Sequence, residues 1–136
     1  NIVIVSSLAG IVAPPTLVGY ITTKHALTGF TKSMARDYGP LGVRVNSVNP
    51  GWVRTAMGDE AMDGISAMSG ITRDEAYRLV TKNVPLRRPA EPEEIASICL
   101  FLASAESSII TGAVIMADAG ASVVDIAMID VGPTGG

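Results

Sequence analysis

The sequence predicts an α/β domain built on a parallel sheet, and three observations carry that expectation. Short runs rich in branched apolar residues recur at 1–6, 43–49 and 113–117, each of strand length. The stretches between them read as helices, and a βαβ alternation implies strands that run parallel. The first run, Asn1-Ile2-Val3-Ile4-Val5-Ser6, is apolar at consecutive positions rather than alternate ones, the pattern of a strand covered on both faces.

The elements follow in order. After the first strand, a helix is expected from Tyr20 to Tyr38, with Ala26, Leu27, Phe30, Met34 and Ala35 as its apolar stripe and Gly39-Pro40 as its stop. The second strand ends in Asn49-Pro50-Gly51. From Ala56 to Val84 the pattern is least regular: Met57, Met62 and Met68 lie among Gly58, Gly64 and Gly70, and only Thr72 through Lys82 has a helical pattern, with Ala76, Leu79 and Val80. Methionine packs pliably, so the first part of this region suits a loop filled by methionines. Glu91-Pro92-Glu93-Glu94 marks a helix start, because proline suits the first helical position and carboxylates suit the positive end of the dipole. That helix runs to about Ser104, with Ile95, Ile98, Cys99 and Leu102 turned to the sheet. Residues 1–125 form one unit, and 126–136, with the cluster Gly132-Pro133-Thr134-Gly135-Gly136, are expected to be a flexible tail.

Chemistry is concentrated in Ser7, Tyr20 and Lys24. On a helix, positions i and i+4 share a face with Cβ atoms about 5–6 Å apart, so the Lys24 ammonium reaches the Tyr20 phenol. A cation beside a phenol in a partly buried site favours the phenolate and makes it a usable acid and base near neutrality. Ser7 closes the first strand, and strand ends are where sites in open α/β sheets are built. Downstream, Pro50-Gly51 fixes a sharp turn. Alone it is an ordinary strand-closing turn; beside the trio it suits a flat ligand lying against the main chain.

The strand ending Ser6-Ser7-Leu8-Ala9-Gly10, the pentad Tyr20-Ile21-Thr22-Thr23-Lys24 and the run Arg44-Val45-Asn46-Ser47-Val48-Asn49-Pro50-Gly51 resemble the C-terminal half of a short-chain dehydrogenase/reductase. Pro85-Leu86-Arg87-Arg88, Glu91 to Ala96, Thr111-Gly112 and Asp118-Ala119-Gly120 occur in that family's order, and the resemblance extends from Asn1 to about Asp125. It implies a Rossmann-like, doubly wound sheet and an oxidoreductase that moves a hydride between NAD or NADP and an alcohol or ketone. By resemblance, Tyr20 is the general acid/base, Lys24 assists it and binds the nicotinamide ribose, and Ser7 positions the reacting oxygen. Pro50, Gly51 and Val53 would line the carboxamide pocket, and the Thr55 hydroxyl would reach the carboxamide or a phosphate. The segment after the Pro-Gly turn would be a mobile lid over an apolar substrate, and the intact protein a homo-tetramer or dimer. A Gly-rich phosphate-binding turn and the family's upstream asparagine have no counterpart, so the sequence is expected to be partial and activity to belong to the intact chain. The first strand would then present an unpaired edge, which invites aggregation. The alternative is a fold of this kind that binds a ligand without turnover; an intact Ser7, Tyr20 and Lys24 set argues against it.

Composition narrows the remaining classes. Ten basic and thirteen acidic residues give a net charge of −3 with no basic stripe, which disfavours nucleic acid as a partner. No apolar run approaches the roughly 18 residues of a membrane span, so no membrane partner and a cytoplasmic setting are expected. With one Cys and one His there is no metal-ligand cluster. Cys99 lies in an apolar helical stretch and reads as a small core residue. His25 is turned about 100° from Lys24 and suits a surface or subunit contact. A serine hydrolase lacks its Gly-x-Ser-x-Gly elbow.

Overall fold

The computed structural model describes residues 1–129. Strands β1 (Ile2–Val5), β2 (Val45–Pro50) and β3 (Val114–Ala117) form a parallel sheet in the order β1-β2-β3. Ile2 lies opposite Val45 and Val5 opposite Val48; Ser47 lies opposite Val114 and Pro50 opposite Ala117. This is the predicted fold class, with the three predicted strands each trimmed or shifted by one or two residues. The central strand is buried along its whole length despite three polar side chains. Asn46 resolves that conflict by stapling the chain that enters β3: its Nδ2 donates to the Ile110 carbonyl at 2.8 Å and its Oδ1 accepts from Ala113 N at 3.0 Å. β1 and β3 are the two edge strands among the described residues, and Ile2 and Val5 are exposed along β1.

Helix α1 (Val18–Tyr38) packs on β2 and on the 3-10 turn Leu8–Gly10. It begins two residues before the predicted start. Of the expected stripe Ala35 is buried and Leu27 and Met34 are half-buried, whereas Ala26 is exposed and Phe30 is 51% exposed, and Thr31 is buried in addition. The reason is close packing. Thr31 returns its hydroxyl to the Leu27 carbonyl at 2.7 Å, which removes the cost of burying it, and a Cβ at Gly112 would touch the Ala35 methyl at 3.5 Å. Small side chains therefore face the sheet while the large Phe30 faces outward.

The expected methionine-filled loop is a helix, α2 (Ala56–Ser69), and with the expected helix, α3 (Arg73–Thr81), it forms a helical hairpin. Capping builds it. Thr55 Oγ1 accepts from Gly58 N at 3.2 Å, Gly70 closes α2 in the left-handed region at φ 67°, and Thr72 with Glu75 forms a reciprocal capping box. Glycine inside a helix costs about 1 kcal/mol relative to alanine, which makes Gly58 and Gly64 misleading in sequence. Burial of Met62 against Ala76 and Tyr77, all at 0% exposure, outweighs that cost.

Helix α4 (Pro92–Ala103) follows the expectation, with Leu102 buried and Ile95, Ile98 and Cys99 half-buried towards the sheet. The Arg44 guanidinium caps its C-terminal end, donating to the carbonyls of Leu102 at 3.0 Å, Ser104 at 2.8 Å and Ile110 at 3.0 Å. A cation at the negative end of the helix dipole thus also ties α4 to the start of β2. Of the expected tail, Ile126–Met128 form a 3-10 turn capped by Asp125, and residues 130–136, including the late glycine cluster, lie outside the described residues. No helix among the described residues is long and apolar enough to cross a membrane.

Candidate active site

The C-terminal ends of the strands gather the residues singled out from sequence. Ser7 is half-buried at the end of β1, and its Oγ accepts from Ala9 N at 3.1 Å, capping the 3-10 turn and leaving the hydroxyl hydrogen to donate elsewhere. Lys24 reaches the same strand end: its Nζ donates to the Ser6 carbonyl at 3.3 Å and stands 5.5 Å from the Tyr20 ring centroid. Tyr20 itself is 42% exposed. The spacing predicts a partly buried pair; at this exposure solvent screens the attraction between the two groups. His25 is exposed, its ring nitrogen 3.0 Å from the Ile21 carbonyl of the preceding turn.

β2 supplies the opposite wall. A Cβ on Gly10 would stand 2.9 Å from Asn49 Nδ2, so the turn after Ser7 lies directly against the residue before Pro50. Gly51 also serves the packing. Its absent side chain faces the residue after β3, where a Cβ would stand 3.0 Å from the Asp118 Cα, and it lines the adjoining cavity. Val53 makes a parallel bridge to Ala90, its carbonyl accepts from Thr55 N at 2.9 Å, and its N–H has no partner among the described residues. Thr55 is the α2 cap, again with its hydroxyl hydrogen uncommitted.

A cavity of about 160 Å³ opens between Leu8 and Gly51, and Ser7, Tyr20, Lys24, Val53 and Thr55 are not among the residues that line it. Leu8, Trp52, Val80 and Val84 make much of its wall, with Thr81, Arg88 and Asp118 as polar members. The helical hairpin therefore stands where the lid was expected. It is tied together by charge: Arg73 forks onto Asp63 at 2.6 and 2.7 Å and reaches Asp59 at 3.2 Å. Tyr77 donates to Asp59 at 2.9 Å, and burial, reinforced by Asp59, pushes its hydroxyl up to about 12, so it stays protonated. Arg54 lies 4.5 Å over the Tyr77 ring and pairs with Asp74 at 2.9 Å and Glu91 at 3.6 Å, joining the hairpin to the α4 start.

Three contributors escaped the sequence reading. Ser6 is held against Lys24, and only the Ser6-Ser7 doublet hinted at it. Asn49 Nδ2 is buried without a partner among the described residues, while its Oδ1 accepts from Ser47 Oγ at 2.5 Å. Asp118 accepts from Gly120 N at 3.0 Å and Ser122 N at 2.7 Å, shaping the turn after β3. Burial acts to raise the Asp118 carboxyl, but the bonds from Ser122 and Gly120 outweigh it and hold it below the ordinary value. Glu94 is held at about 2, first by Arg88 and then by the Glu91 amide. Both folded values are depressed, so both contributions are present above about pH 4 and are lost as pH falls through the folded values. The intact protein is expected to lose melting temperature steeply below about pH 4. Asp118→Asn should flatten that slope in a thermal-melt series; an unchanged slope would remove Asp118 from the account.

Residues 1–122 match a family model described as enoyl-(acyl carrier protein) reductase. Protein MoaE of Klebsiella aerogenes is 52% identical over 126 residues, which span 93% of this chain and 49% of that protein. A solved short-chain dehydrogenase family protein from Francisella tularensis superposes with a TM-score of 0.84 at 35% identity, over 90% of this chain and 51% of the other. Actinorhodin polyketide ketoreductase with NADPH superposes with a TM-score of 0.79 at 28% identity, over 87% of this chain and 45% of that one. The chain spans about half the length of the relatives it matches. With the family model covering most of it, and the fold and strand-end residues arranged as described, the chain belongs to the short-chain dehydrogenase/reductase family of oxidoreductases.

Proposed function

We propose that these residues supply the proton-transfer and nicotinamide-facing part of an NAD(P)-dependent oxidoreductase acting on an alcohol or ketone. The observation that carries the reading is the meeting of Lys24 with both the Tyr20 ring and the end of β1, beside Ser7. The nicotinamide, when bound, supplies or accepts the hydride. Tyr20 Oη gives a proton to the substrate oxygen during reduction and takes it back during oxidation. The Ser7 hydroxyl hydrogen, uncommitted in the strand-end turn, donates to that same oxygen and orients it. The Lys24 ammonium, with one hydrogen on the Ser6 carbonyl, has two more for the cofactor ribose.

The fit of a nicotinamide rests on this chain's unpaired donors. The Val53 N–H and the Thr55 hydroxyl hydrogen are both uncommitted and follow the Pro50-Gly51 turn, which suits a carboxamide. The presence of NADPH in a structural neighbour supports the cofactor class. Leu8, Trp52, Val80 and Val84, in the cavity that opens beside Gly51, support an apolar portion of the substrate. A cytoplasmic homo-tetramer or dimer goes with this reading, and the outward Phe30 and Val18 on α1 suit a subunit contact.

The test is hydride transfer by the intact protein that carries this sequence, followed by nicotinamide absorbance with aromatic or branched secondary alcohols and their ketones. Turnover with either cofactor supports the reading. Cofactor binding without turnover across such a panel, or turnover confined to small charged hydroxy acids, contradicts it.

A further inference from the structure

Ser6 and Lys24 hold each other at both ends. Ser6 Oγ donates to the Lys24 carbonyl at 3.3 Å, and Lys24 Nζ donates to the Ser6 carbonyl at 3.3 Å. One residue therefore anchors both the backbone of the lysine and its head. Ser6 is able to do so because its own main chain is fixed in the sheet: its N–H donates to the Val48 carbonyl at 2.8 Å, and the residue is buried. A helical carbonyl has a second lone pair beyond its i+4 bond, so the Ser6 hydroxyl takes nothing from α1. The approach is set by Gly10, where a Cβ would stand 3.0 Å from the Lys24 carbonyl and 3.2 Å from Ser6 Oγ.

From this we propose that Ser6 is a positioning residue, locking the helical turn that bears Tyr20 and Lys24 to the strand end that bears Ser7. The inference rests on the proton-transfer reading above. Without the hydroxyl, the lysine keeps its head acceptor, but the turn behind it loses its bond to the sheet. Displacements of about 1 Å in such sites cost on the order of a hundredfold in rate. Thr28, whose N–H is the helical i+4 donor to the Lys24 carbonyl, provides the comparison: its Oγ1 donates to the Gly10 carbonyl at 3.3 Å, the same kind of helix-to-turn bond one turn further along, and its hydroxyl is not bonded to Lys24.

The experiment compares Ser6→Ala, Ser6→Thr, Thr28→Val and Tyr20→Phe in the intact protein, with pH profiles of alcohol oxidation. Ser6→Ala is expected to lower kcat about ten- to a hundredfold across the pH profile, with KM within about twofold. Ser6→Thr, which keeps the hydroxyl, should restore the parent profile, and Thr28→Val should leave kcat as in the parent. A Ser6→Ala profile that overlies the parent, or a Thr28→Val profile displaced equally, overturns the positioning role. Tyr20→Phe separates the two levels: full turnover in that variant defeats the proton-transfer reading itself, whereas its collapse beside an unaffected Ser6→Ala defeats only the role of Ser6.

Discussion

Tyr20→Phe in the intact protein is expected to reduce turnover about 10³-fold while leaving cofactor affinity within a few-fold of the parent. The size follows from what a positioned proton donor contributes, about 10²–10⁴ in rate. The structure makes the substitution clean. Tyr20 is 42% exposed and its hydroxyl has no partner among the described residues, so no buried group is orphaned when the oxygen is removed. Stability should change by no more than about 0.5 kcal/mol, the range of ordinary surface substitutions. The Lys24 ammonium, 5.5 Å from the ring centroid, keeps an aromatic face beside it and its bond to the Ser6 carbonyl, so the ribose-facing donors remain in place. A steady-state assay with a cofactor titration by fluorescence reads both quantities at once. Rates within tenfold of the parent would remove the phenol from the proton path, and a parallel loss of cofactor binding would turn its role into one of binding.

Sequence was informative where one physical signal dominated. Branched apolar runs marked all three strands, and Pro92 with its flanking carboxylates marked the start of α4 to the residue. Tyr20 and Lys24 could be paired from spacing alone because helix geometry is rigid, and Lys24 reaches the end of β1 once α1 packs on the turn that follows that strand. Signals that depend on what lies across the packing gap were not legible. Thr31 looks polar until its hydroxyl is seen folded back on the Leu27 carbonyl; Phe30 looks like core, yet it is half-exposed on the outer side of α1. Gly51 was recognised, but not its packing against the Asp118 main chain, a contact 67 residues away in sequence. The α2 helix was missed because propensity counts its glycines against it and cannot count Met62 against Tyr77.

Those glycines supply the second large effect. Gly58→Ala is expected to destabilise the intact protein by about 3 kcal/mol, while Gly64→Ala in the same helix stabilises it by about 0.5 kcal/mol. Gly64 has nothing within 4 Å of a built Cβ, so alanine there only restricts the unfolded chain and improves the helix. At Gly58 a Cβ would overlap the Val53 carbonyl oxygen and stand 2.8 Å from the Tyr77 hydroxyl. Neither neighbour is free to yield. The Val53 carbonyl accepts from Thr55 N and its residue is bridged to Ala90, and Tyr77 is wholly buried with its hydroxyl on Asp59. Relief requires α2 to lift, which strains the Thr55 cap and the Met62 packing together. Val80 and Thr81 of the adjoining hairpin helix and Val84 just beyond it line the cavity, so KM for an apolar substrate should rise along with the loss of stability. Denaturant midpoints of the two variants decide the matter: opposite signs are required, and a Gly58→Ala protein as stable as its parent would mean that the hairpin is not packed on Val53 as described.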